Sequence, residues 1–523
     1  MSMNRQGRKT TPEKSTGDHA NSTSTYSGNR ALQIEEPILF DVGDLQTTGV
    51  DVREPLNVKS RLGGLEREEE IGLAGLSEPE TMRHYVRLSQ KNYSIDTGIY
   101  PLGSCTMKHN PRLNEKIARL PGLMDIHPLQ PQSSVQGAIE LMEELSHWLM
   151  ELTNMEAIAL SPKAGAHGEL CGMMSIKAAH EHAGTAHRNI VLVPDSAHGT
   201  NPATAALIGY KVRSVPAEAD GTVTAASVKE ALDDDVAAIM LTNPNTGGVF
   251  EREIVQIAKL IHEAGAYFYC DGANFTAIAG KVKPGDLGVD AMHFNLHKTF
   301  STPHGGGGPG SGPVVLSKRL APFAPYPFLQ RDGDTCRLVE TAGDQQGGDQ
   351  HKPFGRMTAF HGQFGMYTRA LTYMMSHGAD GLRQASEDAV LNANYLRASL
   401  SEHMSLAFGE DHICMHEVLF DDAFLKGTGV TTLDFAKAMI DEGFHPMTVY
   451  FPLIVHGAML VEPTESESKN TLDQFIDVMI KLTKAAKAGD AEQFTQAPRF
   501  TPRRRLDETG AARKPVLRWS PAE

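Results

Sequence analysis

Residues 295–312 read Asn-Leu-His-Lys-Thr-Phe-Ser-Thr-Pro-His-Gly-Gly-Gly-Gly-Pro-Gly-Ser-Gly. One lysine, Lys298, stands just past a short apolar run and just before a run of glycines. A lysine becomes a covalent catalyst by forming a Schiff base with a carbonyl. This stretch is a place to hold a reactive amine, and the fold turns on what lies upstream of it.

Twenty-seven residues upstream, the apolar run Ala266-Tyr267-Phe268-Tyr269-Cys270 ends in Asp271-Gly272-Ala273-Asn274, which puts a carboxylate at the C-terminal end of a buried strand. Further upstream, Ser161-Pro162-Lys163-Ala164-Gly165-Ala166-His167-Gly168-Glu169 opens a helical pattern. Small residues at a helix start leave backbone N–H groups free for a phosphate, so Gly165, Ala166 and His167 are expected to form an anion cup. His198 follows the strand Ile190-Val191-Leu192-Val193, and Asn243 follows Ala237-Ala238-Ile239-Met240-Leu241. Pyridoxal phosphate is the commonest carbonyl cofactor to use a lysine, and each piece suits it. Asp271 would keep the pyridine nitrogen protonated, His198 would stack its ring on the cofactor, and Asn243 would donate to the phenolic oxygen. The order of cup, ring, amide, carboxylate and lysine, each beyond a strand, is that of ligand sites in open α/β sheets. Singly, His198, Asn243 and Asp271 read as turn or cap residues and Lys298 as a surface lysine; their conjunction carries the reading.

Other motifs fail on context. A phosphate-binding P-loop needs glycines six residues and one residue before the lysine, where Met292 and His297 stand. Gly305, Gly307 and Gly310 satisfy the dinucleotide spacing, but Pro309 interrupts it and Pro313-Val314-Val315-Leu316 reads as a strand. His180 and His182 flank Glu181 at a spacing that puts them on different helix faces, so no metal is expected.

With 523 residues the chain exceeds one hydrophobic core. A net charge of −15 argues against sequence-independent nucleic-acid binding, which needs a basic surface. The five cysteines, Cys105, Cys171, Cys270, Cys336 and Cys414, lack paired spacing and read as reduced thiols in a cytoplasmic protein. No run of 18 apolar residues is present to span a membrane.

Residues 1–35 are poor in apolar residues and are expected to be a disordered tail, followed by a helical and loop segment over 36–154. Within it, Asp96 to Lys108 is dense in Gly, Pro and hydroxyls and reads as a loop that covers something. Val135, Ile139, Met142, Leu145, Leu149 and Leu152 mark an amphipathic helix. Strands near 157–160, 190–193, 210–215, 236–241, 266–270, 291–294 and 313–316 alternate with helices such as Ile254 to Ala264. This predicts a large α/β domain over 155–356 with a mostly parallel sheet. A smaller α+β domain is expected over 357–490, with a helix over Ala385 to Leu400, a strand at Glu417 to Phe420 and a last helix near Leu472 to Ala485, then a tail over 491–523.

The residues closely resemble one family, the P-protein of the glycine cleavage system, glycine dehydrogenase (decarboxylating). The resemblance runs from about residue 36 to the C-terminus on long strings: Asp96 to Lys108, Gly165 to Glu169, Ala197 to Pro202, Asn295 to Gly312, His445 to Pro452, Glu462 to Glu467 and Arg503 to Glu508. It implies a fold of the aspartate-aminotransferase type (fold type I), with pyridoxal 5'-phosphate on Lys298. The family's single-chain members are about twice this length, so the chain resembles the lysine-bearing half of a split enzyme, subunit 2. The implied partners are subunit 1, in an α2β2 hetero-oligomer, and the lipoyl-bearing H-protein, with the T- and L-proteins as functional partners.

The implied reaction is decarboxylation of glycine and transfer of the aminomethyl group to the lipoyl arm. Lys298, Asp271 and His198 would be catalytic, and Thr106, Lys108, Arg356 and His445 are candidates for holding glycine's carboxylate. The rivals are another fold-type-I pyridoxal-phosphate lyase or transaminase, and a catalytically silent scaffold subunit. The sequence departs from the family at residues 331–352, in its N-terminal tail and at Gly247.

Overall fold

Asp271 ends β5 (Tyr267–Asp271), the strand around which the large sheet is built. The other strands are β1 (Ala157–Ala159), β2 (Ile190–Pro194), β3 (Lys211–Val215), β4 (Val236–Thr242), β6 (Ala291–His293) and β7 (Val314–Leu316). They lie in the order β1-β7-β6-β5-β4-β2-β3. β3, β2, β4, β5 and β6 run parallel, and β7 runs antiparallel to both of its neighbours, β6 and β1. The sheet is thus α/β and mostly parallel, with strands at the seven stretches named from the sequence.

β4 shows why this sheet is central. All its residues are buried, as expected of a parallel strand covered on both faces. From Ala238 onward its side chains alternate: Ile239 and Leu241 pack with Ile257 and Phe268 on one face, and Ala238 and Met240 pack with Met173 and Ile176 on the other. The first face is covered by the helices Gln136–Thr153 and Ile254–Glu263, whose buried residues recur at helical spacing, as in Ile254, Ile257, Ala258 and Ile261. The second is covered by the helix Gly165–His182.

This is a computed structural model, and it describes residues 35–44, 47, 49, 53, 56, 59–69, 71–305, 310–344, 351–409 and 413–520. All but the last residue of the tail expected over 1–35 lies outside the described residues, as do Gly307 and Pro309 of the rejected dinucleotide pattern. The chain forms two compact units: Gly98–Ala491, which holds the sheet, and a unit drawn from Met1–Thr97 and Glu492–Glu523. In the latter, Arg87 and His84 bind Glu36, and Phe40 stacks on Trp519 with ring centroids 4.8 Å apart.

Beyond the large sheet, Phe364–Leu400 is helical on either side of a break at Gly378, where φ is 63°. A three-stranded antiparallel sheet follows, β10 (Val418–Phe420), β12 (Met459–Val461) and β11 (Thr448–Val449); the helix Thr432–Asp441 lies against β11, and the helix Lys469–Lys487 against that helix. The hairpin β8 (Phe328–Asp332) and β9 (Thr335–Val339) was not foreseen. It occupies part of the segment 331–352 that departs from the family, while 345–350 lie outside the described residues. Its signal was present: Gly333-Asp334 is a two-residue turn, and Gly333 takes the positive φ such turns require.

β5 and β6 approach each other so closely beyond their ends that a Cβ on Gly272 would stand 1.9 Å from the His293 carbonyl oxygen. Gly272→Ala is therefore expected to lower the unfolding free energy by about 1–3 kcal/mol, read from the urea midpoint. An unchanged midpoint would show that the strand ends can part freely.

Candidate active site

Parallel strands put their C-terminal ends on one edge of the sheet. The β4–β5 register pairs Thr242 with Asp271, so Asn243 and Asp271 leave the sheet side by side. β2 ends at Pro194, four residues before His198, and β6 ends at His293, five before Lys298.

Asp271 is buried, and one of its oxygens accepts from Asn201 Nδ2 at 3.1 Å while the other accepts from the Ala273 N–H at 2.9 Å. His293 Nε2 stands 3.4 Å from the second oxygen, and its Nδ1 is 2.6 Å from the Tyr269 hydroxyl. Burial alone would push the carboxyl up, but His293, the Ala273 N–H, the Asn201 amide and Lys298 outweigh it and hold Asp271 below the ordinary carboxylate range. Behind it, Glu169 accepts from Thr200 Oγ1 at 2.7 Å and Thr204 Oγ1 at 3.2 Å. Burial, and then the charge on Asp271, push Glu169 up to about 7. Two neighbouring carboxyls thus divide their roles: Asp271 is ionised well below neutral pH, while Glu169 holds its proton until about pH 7.

His198 Nδ1 meets Thr200 Oγ1 at 2.7 Å, and its ring lies edge-on to Phe451 at 5.6 Å. Burial pushes its pKa down, so the ring is neutral and its face suits stacking. Asn243 accepts from the Glu251 N–H at 3.0 Å, yet its buried Nδ2 has no hydrogen-bond partner. A buried amide donor without a partner is costly and calls for an acceptor.

The helix Gly165–His182 begins after Ala164 with no side-chain cap, leaving the first-turn amides of Gly165, Ala166 and His167 open. A Cβ on Gly165 would be 2.8 Å from Asn295 Oδ1 and 3.1 Å from His293 Nε2, so a side chain there would have to push these site residues aside. His167 Nδ1 accepts from the Lys163 N–H at 3.2 Å. The chain leading into β7 is threaded against this cup: the Gly312 N–H donates to Pro162 O at 2.9 Å, and a Cβ on Gly312 would stand 2.2 Å from Ala164 O.

Lys298, on the short helix Leu296–Thr299, is buried and donates to Ser104 O at 2.7 Å. The loop expected over Asp96 to Lys108 is therefore the segment against the lysine. The four carboxylate candidates are already engaged. Thr106 donates to Glu462 through its N–H at 2.9 Å and its hydroxyl at 2.6 Å. Lys108 Nζ donates to Glu465 at 2.5 Å, Thr299 O at 2.9 Å and the Tyr373 hydroxyl at 3.3 Å. Arg356 spans Glu340 O and Thr358 O, and His445 stacks on Tyr100 at 4.0 Å.

Comparison with known proteins fits this geometry. The chain is 65% identical over 521 residues, 99% of itself and 98% of the relative, to a probable glycine dehydrogenase (decarboxylating) subunit 2 of Caulobacter vibrioides. It is 51% identical over 456 residues to one from Caldanaerobacter subterraneus, covering 87% of this chain and 91% of that one. The chain belongs to the glycine dehydrogenase (decarboxylating) subunit 2 family. Residues 385–499 match the model of the glycine dehydrogenase C-terminal domain, and 171–330 that of class-V aminotransferases. In fold, it is similar to a crystal structure of glycine decarboxylase (P-protein) in inhibitor-bound form, with a TM-score of 0.66 and 20% identity over 81% of this chain and 93% of that one.

In this subunit 2 family member, several residues of the site were not foreseen. His293, Asn201 and Glu169 surround Asp271. Two of them lay within quoted strings, but nothing local distinguishes a carboxylate-holding amide or acid from a helical surface residue. His297 and His304 meet edge-to-face at 5.1 Å, and burial pushes them to about 3 and 4. No metal motif was legible, yet the fold brings His416, Glu417 and Glu462 together, with one ligand atom of each within 4.8 Å of the others.

Glu169 links the site to stability. An acid whose pKa is higher folded than unfolded holds its proton more tightly in the native state. Its contribution is then full below about 4.5 and lost as pH rises to about 7. Glu169→Gln cannot lose that proton. Urea unfolding across this window should show the wild type losing on the order of 2 kcal/mol more than the variant. Parallel pH profiles would show Glu169 to be ionised throughout.

Proposed function

We propose that this chain is the cofactor-bearing half of a glycine-decarboxylating enzyme, with pyridoxal 5'-phosphate bound through Lys298. The observation that carries this reading is the buried, ionised Asp271 beside an Asn243 Nδ2 that lacks an acceptor, on the edge that also bears Lys298. When bound, pyridoxal phosphate supplies the electron sink into which glycine's bond to its carboxylate breaks, releasing CO2.

The chain's own residues do the rest. The amides of Gly165, Ala166 and His167 bind the phosphate at the helix start. Asp271 would keep a proton on the pyridine nitrogen, Asn243 Nδ2 would donate to the phenolic oxygen, and the neutral His198 ring would cover one face. Lys298 would supply the amine that holds the cofactor. Thr106, Lys108, Arg356 and His445 remain the candidates for orienting glycine's carboxylate. Lys108 is better suited to holding the loop, because burial, which would lower its pKa, is outweighed by Glu465, and its ammonium is fully engaged. The name of the relatives, subunit 2, supports a partner subunit 1. An α2β2 assembly, aminomethyl transfer to lipoylated H-protein, coupling to the T- and L-proteins and a cytoplasmic location complete the proposal. Among the described residues no helix is long and apolar enough to cross a membrane.

Lys298→Ala is expected to abolish exchange of labelled bicarbonate into glycine, assayed with subunit 1 and H-protein, while leaving the circular-dichroism spectrum intact. Appreciable exchange by the variant would sink the assignment. Asp271→Asn should still bind cofactor, by the visible band, but lose exchange activity by about 10²-fold or more, since the pyridine nitrogen loses its anionic partner. Full activity in that variant would move the partner elsewhere. The chain alone should turn over slowly and co-elute with subunit 1 on gel filtration; full activity without subunit 1 would refute the two-chain site.

A further inference from the structure

The segment Gly103–Lys108 is stitched into place more tightly than a connecting loop needs to be. The Gly103 N–H donates to Leu460 O at 3.3 Å, and Gly103 O accepts from Thr448 Oγ1 at 2.8 Å. Ser104 and Thr106 both have left-handed backbones, with φ of 64° and 50°. Neither is glycine, so each would relax to negative φ unless held. What holds them is a pair of fully buried carboxyl groups from the small antiparallel sheet and its approach. The Ser104 N–H donates to Glu417 Oε2 at 2.8 Å, and Thr106 donates to both oxygens of Glu462. The carbonyl turned outward by this conformation, Ser104 O, is the one that accepts from Lys298 Nζ at 2.7 Å.

We propose that Glu417 and Glu462 are positioning residues for Lys298: they clamp the Ser104–Thr106 backbone so that the Ser104 carbonyl gives the lysine amine a fixed resting place whenever it is not bonded to cofactor. The proposal rests on Lys298 being the cofactor lysine. It explains why two carboxyls are buried together, with His416 Nε2 3.8 Å from each and hydrogen-bonded to neither. Their neighbouring positive group is Lys298, whose charge opposes the burial that raises both of them. A metal ion fits the cluster less well. Three of the four carboxylate oxygens already accept hydrogen bonds from the loop, and only Glu417 Oε1 lacks a partner. A resting place matters because an amine that has let go of a cofactor must return to it many times. A backbone carbonyl cannot titrate or swing away, so it keeps the amine in register.

The test uses the full-length chain freed of cofactor. Lys298 is labelled by reductive methylation with formaldehyde and cyanoborohydride, and the rate is followed on its peptide by mass spectrometry. Ser104→Pro removes the N–H that Glu417 holds and fixes φ near −65°. It should raise the labelling rate roughly tenfold, the factor expected from losing one hydrogen bond to a charged group. Ser104→Gly keeps the N–H and accepts positive φ, so its rate should stay near that of the wild type. An unchanged rate in Ser104→Pro, or an equal rise in Ser104→Gly, overturns the proposal. If the proline variant does not fold, amide hydrogen exchange in the wild-type chain decides: protection at Ser104 and Thr106 supports the clamp, and rapid exchange at both refutes it. One equivalent of tightly bound metal, whose removal by chelator also removes that protection, would make the cluster a cation site and overturn the proposal. Borohydride reduction of the cofactor-loaded chain separates the parent reading: a pyridoxyl group on any lysine but Lys298 defeats that reading, whatever the labelling rates show.

Discussion

A charge that stays ionised inside protein is the constraint around which this chain is organised. Asp271 has left water and has to be compensated where it stands, because an unpaired buried carboxylate would take up a proton and lose its use. The compensation comes from separate parts of the chain: Ala273 on its own strand end, His293 on β6, Asn201 on the helix after β2, and Lys298. Each arrives because a parallel sheet delivers its strand ends to one edge. Glu169, raised first by its burial and then by the charge on Asp271, holds its proton up to about pH 7. The sheet is thus the means by which a proton is placed on one acid and withheld from its neighbour.

The part of this arrangement that follows from short-range pattern was legible. Stretches of four to six residues ended by turn residues marked the strands, and the residues just past those ends, His198, Asn243 and Asp271, could be named because strand ends are where an α/β sheet binds ligands. The cup at Gly165 was visible because a helix start among small residues is a local feature. What escaped were residues whose roles depend on contacts far along the chain. His293 sits inside an apolar strand pattern, and its use shows only when β5 and β6 lie side by side. Glu417 was read as the first residue of a strand, and its carboxyl meets Ser104 across a separation of 313 residues. Lys108 and Thr106, taken from sequence as substrate candidates, turn out to have their donors engaged by Glu465 and Glu462. A polar residue near a site either binds substrate or holds the wall, and sequence does not distinguish the two.

Strain is distributed in the same pattern. Apart from Asn154 at a helix end, the non-glycine residues with positive φ among those described are Ser104, Thr106, Ser301, Tyr450 and Thr464. Ser301 bonds to His109 and Asn110, and Thr464 shares a hydrogen bond with Ser466, which accepts from the His109 N–H. Ser104, Thr106, Ser301 and Thr464 therefore lie along one seam where the loop, the lysine segment and the small sheet's connections meet. Unfavourable backbone of this kind persists when the surroundings over-determine it, and such surroundings resist rearrangement. The walls on this side of the lysine are set before any ligand arrives.

The close threading of Gly312 beneath Ala164 has a consequence for how such a site can diverge. The segment bearing the lysine returns through β7 directly under the loop that opens the phosphate cup, with no room for even a methyl group between them. Anchor and cup therefore move as one piece, and a change that shifted either would drag the other with it. Descendants of this chain that took a larger amino acid could not obtain space by spreading these two apart. They would have to carve it from the opposite wall, so variation in substrate size should be recorded in the covering loops while the lysine and cup stay still.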